Sequence, residues 1–220
     1  MRATGDEQFE TECGVELLVE TARLFAGLGH HDVNGRFRID GVTGPDEYTA
    51  VVNNNTFTNL AAQQNLRDAV AAVHRRPDLA EQFGVTTAEA AHWEACADDM
   101  TIPFDEALGV HQQCEAFTLL GAWDFAASVG KYPLLLNYPY YDLYRKQVVK
   151  QADLVFATYL FGDAFTPEQK LRNFDYYYPL TVRDSSLSAC CEAAVRMSAV
   201  SASPPAAAPA TASCAIRTRS

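Results

Sequence analysis

The residues able to do chemistry gather in a few short blocks. The first, Gly44-Pro45-Asp46-Glu47-Tyr48, sets two adjacent carboxylates in a proline-stiffened turn just ahead of the polar run Asn53-Asn54-Asn55. Cleaving a glycosidic bond needs a carboxylic acid that keeps its proton at neutral pH. A neighbouring carboxylate and partial burial among aromatic rings move a carboxyl pKa in that direction, so the Asp46-Glu47 pair supplies the parts of a general acid. The asparagines and aromatic rings nearby suit the hydroxyls and ring faces of a sugar, but the same residues also compose an ordinary solvated turn and a loop-forming run. In a second block Lys146 with Lys150, and Gln147 with Gln151, fall four residues apart in a segment that reads as helical. They stack there as a polar face, whose plain reading is a solvated one. A third block, Thr181-Val182-Arg183-Asp184-Ser185-Ser186, stands ahead of a helix. Serine hydroxyls and free backbone N–H groups at that place form an anion site or simply cap the helix.

These blocks hang on elements that are predominantly helical. Val15, Leu18, Ala22 and Phe25 recur at helical spacing from Gly14 to Leu28, with Gly27 and Gly29 as the stop. Asp32 to Asn55 reads as a long structured loop, holding only a brief strand-like alternation at Arg36-Phe37-Arg38-Ile39, and it carries Glu47. A second helix runs from about Thr56 to His74, burying Phe57, Leu60, Ala61 and Val70. A third opens at the box Thr86-x-x-Glu89, with Ala90, Trp93 and Ala97 on one face. Phe104 to Trp123 is apolar and irregular, and Tyr138 to Tyr144 is rich in tyrosine. The spacing then predicts a helix over about Asp142 to Phe161. Thr166-Pro167-Glu168-Gln169 starts another, ending near Pro179, and the last opens at Ser185-Ser186 and continues through Ala194. Ser201 to Ser220 is almost wholly Ala, Ser, Pro and Thr and is expected to be disordered. The fold class is therefore all-α, with one domain over 1–200, a tail over 201–220, and function carried on the loops.

Composition excludes several classes. A chain of 220 residues with 48% hydrophobic content is long enough for one domain with a real core. With 17 basic against 28 acidic residues and a net charge of -11, it lacks the basic footprint of a nucleic-acid binder. No run approaches the roughly 18 apolar residues of a membrane span. The start Met1-Arg2-Ala3-Thr4-Gly5-Asp6-Glu7 has no signal-peptide core, so a cytoplasmic location is expected. The cysteines (Cys13, Cys96, Cys114, Cys190, Cys191, Cys214) form no Cys-x-x-Cys pair and read as buried or idle thiols, not as a zinc site. His30-His31 is placed at a helix C-terminus, where the dipole favours histidine.

Asp40-Gly41-Val42-Thr43-Gly44-Pro45-Asp46-Glu47-Tyr48 and Val52-Asn53-Asn54-Asn55 resemble the signature of glycoside hydrolase family 65. Further on, Val149-Lys150-Gln151-Ala152-Asp153, Asn173-Phe174-Asp175-Tyr176-Tyr177 and Asp184-Ser185-Ser186-Leu187-Ser188 are similar to its later blocks. Order and spacing agree over roughly Cys13 to Ala189. The resemblance implies an incomplete (α/α)6 barrel with its site in loops at one end. It makes Glu47 the general acid, has Lys150 and Gln151 hold the glucosyl unit, and has Ser185 and Ser186 bind phosphate. Inorganic phosphate then attacks the anomeric carbon with inversion, giving β-glucose 1-phosphate. It replaces the water of an inverting hydrolase, so no carboxylate base is required. Neither a metal nor an organic cofactor is implied. The serines favour phosphorolysis, while Asp184 beside them leaves hydrolysis open. The implied partners are an α-linked disaccharide and phosphate, with no nucleic acid or membrane, and a homodimer or a complementing N-terminal half is open. Family members are several times longer, and the resemblance fades after Cys190, so a truncated or frame-shifted reading frame is expected. Such a chain is an active enzyme, a non-catalytic remnant or an accessory half-barrel.

Overall fold

The computed structural model describes residues 5–151 and 153–182. The expected helix from Ser185 to Ala194 and the tail from Ser201 lie outside the described residues. The chain enters through one turn, α1 (Glu7–Phe9), and a π-helical turn (Glu10–Gly14), which lead straight into α2 (Val15–Leu28). Val15, Val19 and Ala22, spaced at three to four residues, form its fully buried stripe. At Gly29, which ends the helix, any side chain would overlap the Phe37 ring.

α3 (Thr56–Arg75) is the central element, and Asn55 caps it by accepting the Thr58 N–H at 2.9 Å. After the short α4 (Pro77–Gln82), with proline in its first turn, α5 (Thr87–Asp98) is capped by Thr86. Helices α2, α3 and α5 enclose one core around Val19, Leu66 and Trp93. Each fully buried leucine or phenylalanine in such a core contributes roughly 1.5–3 kcal/mol. The other side of α3 meets α8 (Asp153–Leu160) and α9 (Pro167–Tyr177) in a second core around Leu60, Phe117, Leu154 and Tyr177. α9 starts with the full capping box expected at Thr166 and Gln169. A smaller third core, Tyr48, Leu134, Leu143 and Val148, lies beneath the loop that bears α6 (Leu134–Asn137) and α7 (Tyr140–Leu143).

The strands are two-residue pairs. β1 (His30–His31) lies antiparallel to β2 (Phe37–Arg38), β3 (Phe104–Asp105) antiparallel to β4 (Val110–His111), and β5 (Gly121–Ala122) parallel to β6 (Lys146–Gln147). His30–His31 is thus a strand beyond the helix stop, not a helix terminus, and His31 Nε2 lies 3.3 Å from the Asp99 carboxylate.

The helix expected over Asp142 to Phe161 forms only at its two ends. Between them Lys146 to Val149 is extended, because β6 pairs with Gly121–Ala122 and Val149 bridges Thr181. The Gln147 amide donates to the Thr118 and Leu120 carbonyls at 3.0 and 2.7 Å, and Val148 and Val149 are fully buried. Lys146 and Lys150 therefore do not stack, nor do Gln147 and Gln151. Among the described residues no helix is long and apolar enough to cross a membrane.

Candidate active site

The loop that carries Glu47 is closed at its base by an antiparallel bridge, with reciprocal N–H to O bonds between Val42 and Val52 at 2.9 and 2.8 Å. The asparagine run locks it. Asn53 Oδ1 accepts the Gly41 N–H at 3.1 Å. Asn54 adopts the left-handed conformation (φ 49) that asparagine tolerates, takes the Ile39 N–H at 3.3 Å and donates to Glu115 at 3.1 Å. Asn55, besides capping α3, donates to the Gln113 carbonyl at 3.2 Å and to Asp153 Oδ2 at 3.1 Å. Asn54 and Asn55 are fully buried, so they build the loop and do not face a ligand.

Within this frame the two adjacent carboxylates point opposite ways. Asp46 is fully buried, whereas the Glu47 side chain is 53% exposed. This corrects the expectation of a partly buried Glu47. Lys150 Nζ reaches Glu47 Oε2 at 2.6 Å, and the Gln151 amide donates to Glu47 Oε1 at 3.1 Å. The three residues singled out in the sequence for acid and sugar contact are thus brought together, across a separation of 103 and 104 residues. Ser185 and Ser186, singled out for phosphate, lie outside the described residues.

Beneath them is a buried polar layer that the sequence reading did not assign. Asp46 Oδ1 accepts the backbone N–H of Lys150 at 2.9 Å, of Gln151 at 3.2 Å and of Tyr48 at 3.3 Å, and Oδ2 accepts the Gln113 amide at 2.8 Å. Burial pushes the Asp46 carboxyl up to about 6 against those hydrogen bonds, which pull it down. Asp153, buried beside it, is raised well above the ordinary carboxylate range, first by burial and then by the charge of Asp46. Its Oδ1 and the Gln113 Oε1 have no hydrogen-bond partner among the described residues. Gly44 fits this layer because a Cβ there would stand 2.7 Å from Asp153 Oδ2 and closer still to the Asn55 amide. Asp153 carried a weak sequence signal, being an acid at the head of the apolar helix Leu154-Val155-Phe156, whereas Gln113 carried none.

Chemically, the surface cluster offers a solvent-accessible carboxyl group with an ammonium and an amide fixed at its two oxygens. The donors suit hydroxyl groups of a ligand, and the carboxyl suits proton exchange with an oxygen between them.

The profile of the glycosyl hydrolase family 65 central catalytic domain matches residues 1–207. An uncharacterized glycosyl hydrolase of Mycobacterium tuberculosis is 60% identical over 190 residues, which are 86% of this chain and 24% of that protein. The α,α-trehalose phosphorylase of Geobacillus stearothermophilus is 42% identical over 196 residues, covering 85% of this chain and 26% of that protein. The chain therefore spans about a quarter of the length of the relatives it matches. A solved structure from the human microbiome, provisionally named a kojibiose phosphorylase, superposes with a TM-score of 0.80 at 26% identity, over 90% of this chain and 30% of that one. The all-α architecture is accordingly that of part of an (α/α)6 barrel. By that profile, and by relatives this similar over most of its length, the chain belongs to glycosyl hydrolase family 65.

Proposed function

We propose that the chain carries the acid side of a site that cleaves the α-glucosidic bond of a disaccharide by inverting phosphorolysis. The products are β-glucose 1-phosphate and the free acceptor sugar. The observation that supports this reading best is the hold of Lys150 and Gln151 on the two oxygens of Glu47. In the proposed reaction the glucosyl hydroxyls take over the hydrogen bonds of Lys150 and Gln151, the Glu47 carboxylate released from its ion pair takes up a proton from solvent, and it gives that proton to the glycosidic oxygen as the bond to the anomeric carbon breaks. Inorganic phosphate, bound with the help of Ser185 and Ser186, attacks from the opposite face, so no second carboxylate has to activate water. Phosphate is the co-substrate and no metal or organic cofactor takes part. The substrate is a diglucoside of the trehalose, maltose or kojibiose type.

A second reading, favoured by a different observation, makes the chain an accessory or non-catalytic part of a barrel. Leu17, Leu24 and Leu28 form a stripe along α2 and are each more than half exposed, a face suited to packing against further helices. One assay separates the readings. The purified chain and its Glu47→Gln variant are incubated with a panel of α-linked diglucosides, with and without phosphate, and glucose 1-phosphate and glucose are measured. Phosphate-dependent product that the variant loses supports the phosphorylase. Glucose formed without phosphate indicates a hydrolase, and no product from any sugar supports the accessory reading.

A further inference from the structure

We infer that the cleft between the Trp123 loop and α7 is a second carbohydrate subsite, which takes one glucosyl unit away from the Glu47 cluster. The cleft has a volume of about 240 Å³ and is lined by Trp123, Asp124, Ser128, Tyr138, Asp142 and Lys146. Its aromatic wall is fixed in advance. The Trp123 and Tyr138 rings meet edge to face, with centroids 4.9 Å apart, and one buried hydroxyl ties down both polar ends. Ser128 Oγ accepts the indole N–H at 3.0 Å, lies 3.3 Å from the Tyr138 hydroxyl, and donates to the Asp124 carbonyl at 2.9 Å. Rings held this way lose little freedom when a ligand stacks on them.

The rest of the lining carries polar side chains, two of whose charged ends are unengaged among the described residues. Among the described residues, the half-buried Asp142 carboxylate and the Lys146 ammonium make no side-chain hydrogen bond or ion pair. A pyranose matches both parts of the lining, since its C–H faces suit aromatic rings and its vicinal hydroxyls donate to carboxylates and accept from an ammonium. Asp124 and Asp142 in the lining balance Lys146 and the Lys131 ammonium that stands 5.6 Å from the Tyr138 ring centroid, so the cleft has no excess of positive charge for a phosphate or carboxylate ligand, which points to a neutral sugar. The cleft is separate from the acid, yet mechanically joined to it. Lys146 on its wall and Lys150 at Glu47 are four residues apart, at most about 14 Å of extended chain. Trp123 and Tyr138 pack on the same apolar core as Tyr48, the residue after Glu47. That the sugar is an α-glucoside rests on the proposed function, whereas the fit of the cleft to a neutral polyhydroxyl ring does not.

The chain holds two tryptophans, Trp93 and Trp123, and Trp93 is 1% exposed in a different core, so the indole N–H resonances of the ¹⁵N-labelled chain supply a reporter and an internal reference. Maltose and maltotriose are titrated in, with sorbitol as an acyclic polyol control. The Trp123 resonance is expected to move saturably with the two glucosides, but not with sorbitol, while Trp93 stays in place. Asp142→Ala is expected to weaken the response at least tenfold and Glu47→Gln to leave it unchanged. Should Asp142→Ala also displace the Trp93 resonance, Lys146→Ala replaces it as the cleft variant. A Trp123 resonance that no glucoside moves, that sorbitol moves equally, or that ceases to respond in Glu47→Gln overturns the subsite. A saturable Trp123 response in a chain that forms no glucose 1-phosphate supports it, and places the failure in the catalytic reading alone.

Discussion

Asp46 and Lys150, 104 residues apart in the sequence, are joined by a backbone hydrogen bond of 2.9 Å to a buried carboxylate, while the ammonium of the same lysine meets the next residue, Glu47. Asp46 therefore sets where the Lys150–Gln151 backbone lies, and that backbone sets where the two donors reach Glu47. Asp46→Ala leaves three backbone N–H groups and the Gln113 amide without their acceptor and is expected to cost on the order of 3 kcal/mol. Asp46→Asn keeps the Oδ1 acceptor, and the Gln113 amide can turn its unpartnered oxygen toward the new NH₂. It is expected to stay within about 1 kcal/mol of the parent. Urea denaturation followed by circular dichroism measures both, and equal stability of the alanine variant and the parent would show that the clamp contributes nothing.

The same carboxylate gives stability a pH dependence of unusual sign. Its folded pKa is raised from 3.8 to about 6, so between those values the folded state holds the proton more tightly than the unfolded chain. Its contribution is complete below the unfolded value and is lost as pH rises through about 6. Asp153, raised in the same direction, adds to this. Glu89, lowered by its hydrogen bond to Arg23, and Glu115, lowered by its bond to Arg38, act oppositely below their ordinary value of 4.5. His111, lowered by burial, opposes this trend below its ordinary value of 6.5, so the contribution of Asp46 is read by difference: the unfolding temperature at pH 5 relative to pH 7.5 is expected to be higher in the parent than in Asp46→Asn. An unchanged pH response in that variant would remove Asp46 as the source.

What was legible in the sequence was local. The caps at Thr86 and Thr166 lie within three residues of the groups they satisfy, and the helices they start stand where the spacing puts them. The blocks around Glu47 and Lys150 were legible as motifs, because their residue types, order and spacing resemble those of the family. The conformation of Lys146 to Gln151 was not. Lys-Gln-Val-Val-Lys-Gln reads equally as a helix face or an extended run, and the choice is made by Gly121, Thr181 and Asp46, all distant in the chain. Adjacency alone also could not say which of Asp46 and Glu47 turns inward. The backbone N–H groups that reward the burial of Asp46 come from a segment the loop meets only on folding.

Gly44 is the point at which this buried layer admits no side chain. An alanine there would press its Cβ on the Asn55 amide, which caps α3 and bridges to Asp153. Relief requires giving up the cap, worth about 1 kcal/mol, or moving a loop whose next residues are Pro45, Asp46 and Glu47. Gly44→Ala is expected to destabilise by roughly 2–4 kcal/mol. The Glu47–Lys150 contact is expected to be disturbed even where the chain still folds. Urea denaturation gives the first quantity and a crystal structure of the variant the second, and an unshifted Glu47 in a fully stable variant contradicts both.

Removing a donor from Glu47 ought to separate function from stability. The ion pair joins a side chain 19% exposed to one 53% exposed, so solvent screens it and it contributes less than about 1 kcal/mol to folding. Lys150→Met and Gln151→Ala are therefore expected to unfold within about 1 kcal/mol of the parent. Each nevertheless frees one oxygen of the proposed acid and removes a donor that the proposed reaction directs at the sugar, and misplacing a reacting group by about 1 Å can cost 10²-fold in rate. Phosphate-dependent release of glucose 1-phosphate is expected to fall by about that factor or more in either variant. The fall should appear mainly in kcat, since in the proposed reaction Glu47 acts on the bond that breaks and not on ground-state affinity. A variant that keeps full turnover while raising only KM would assign Lys150 or Gln151 to uniform sugar binding and remove it from the positioning of the acid.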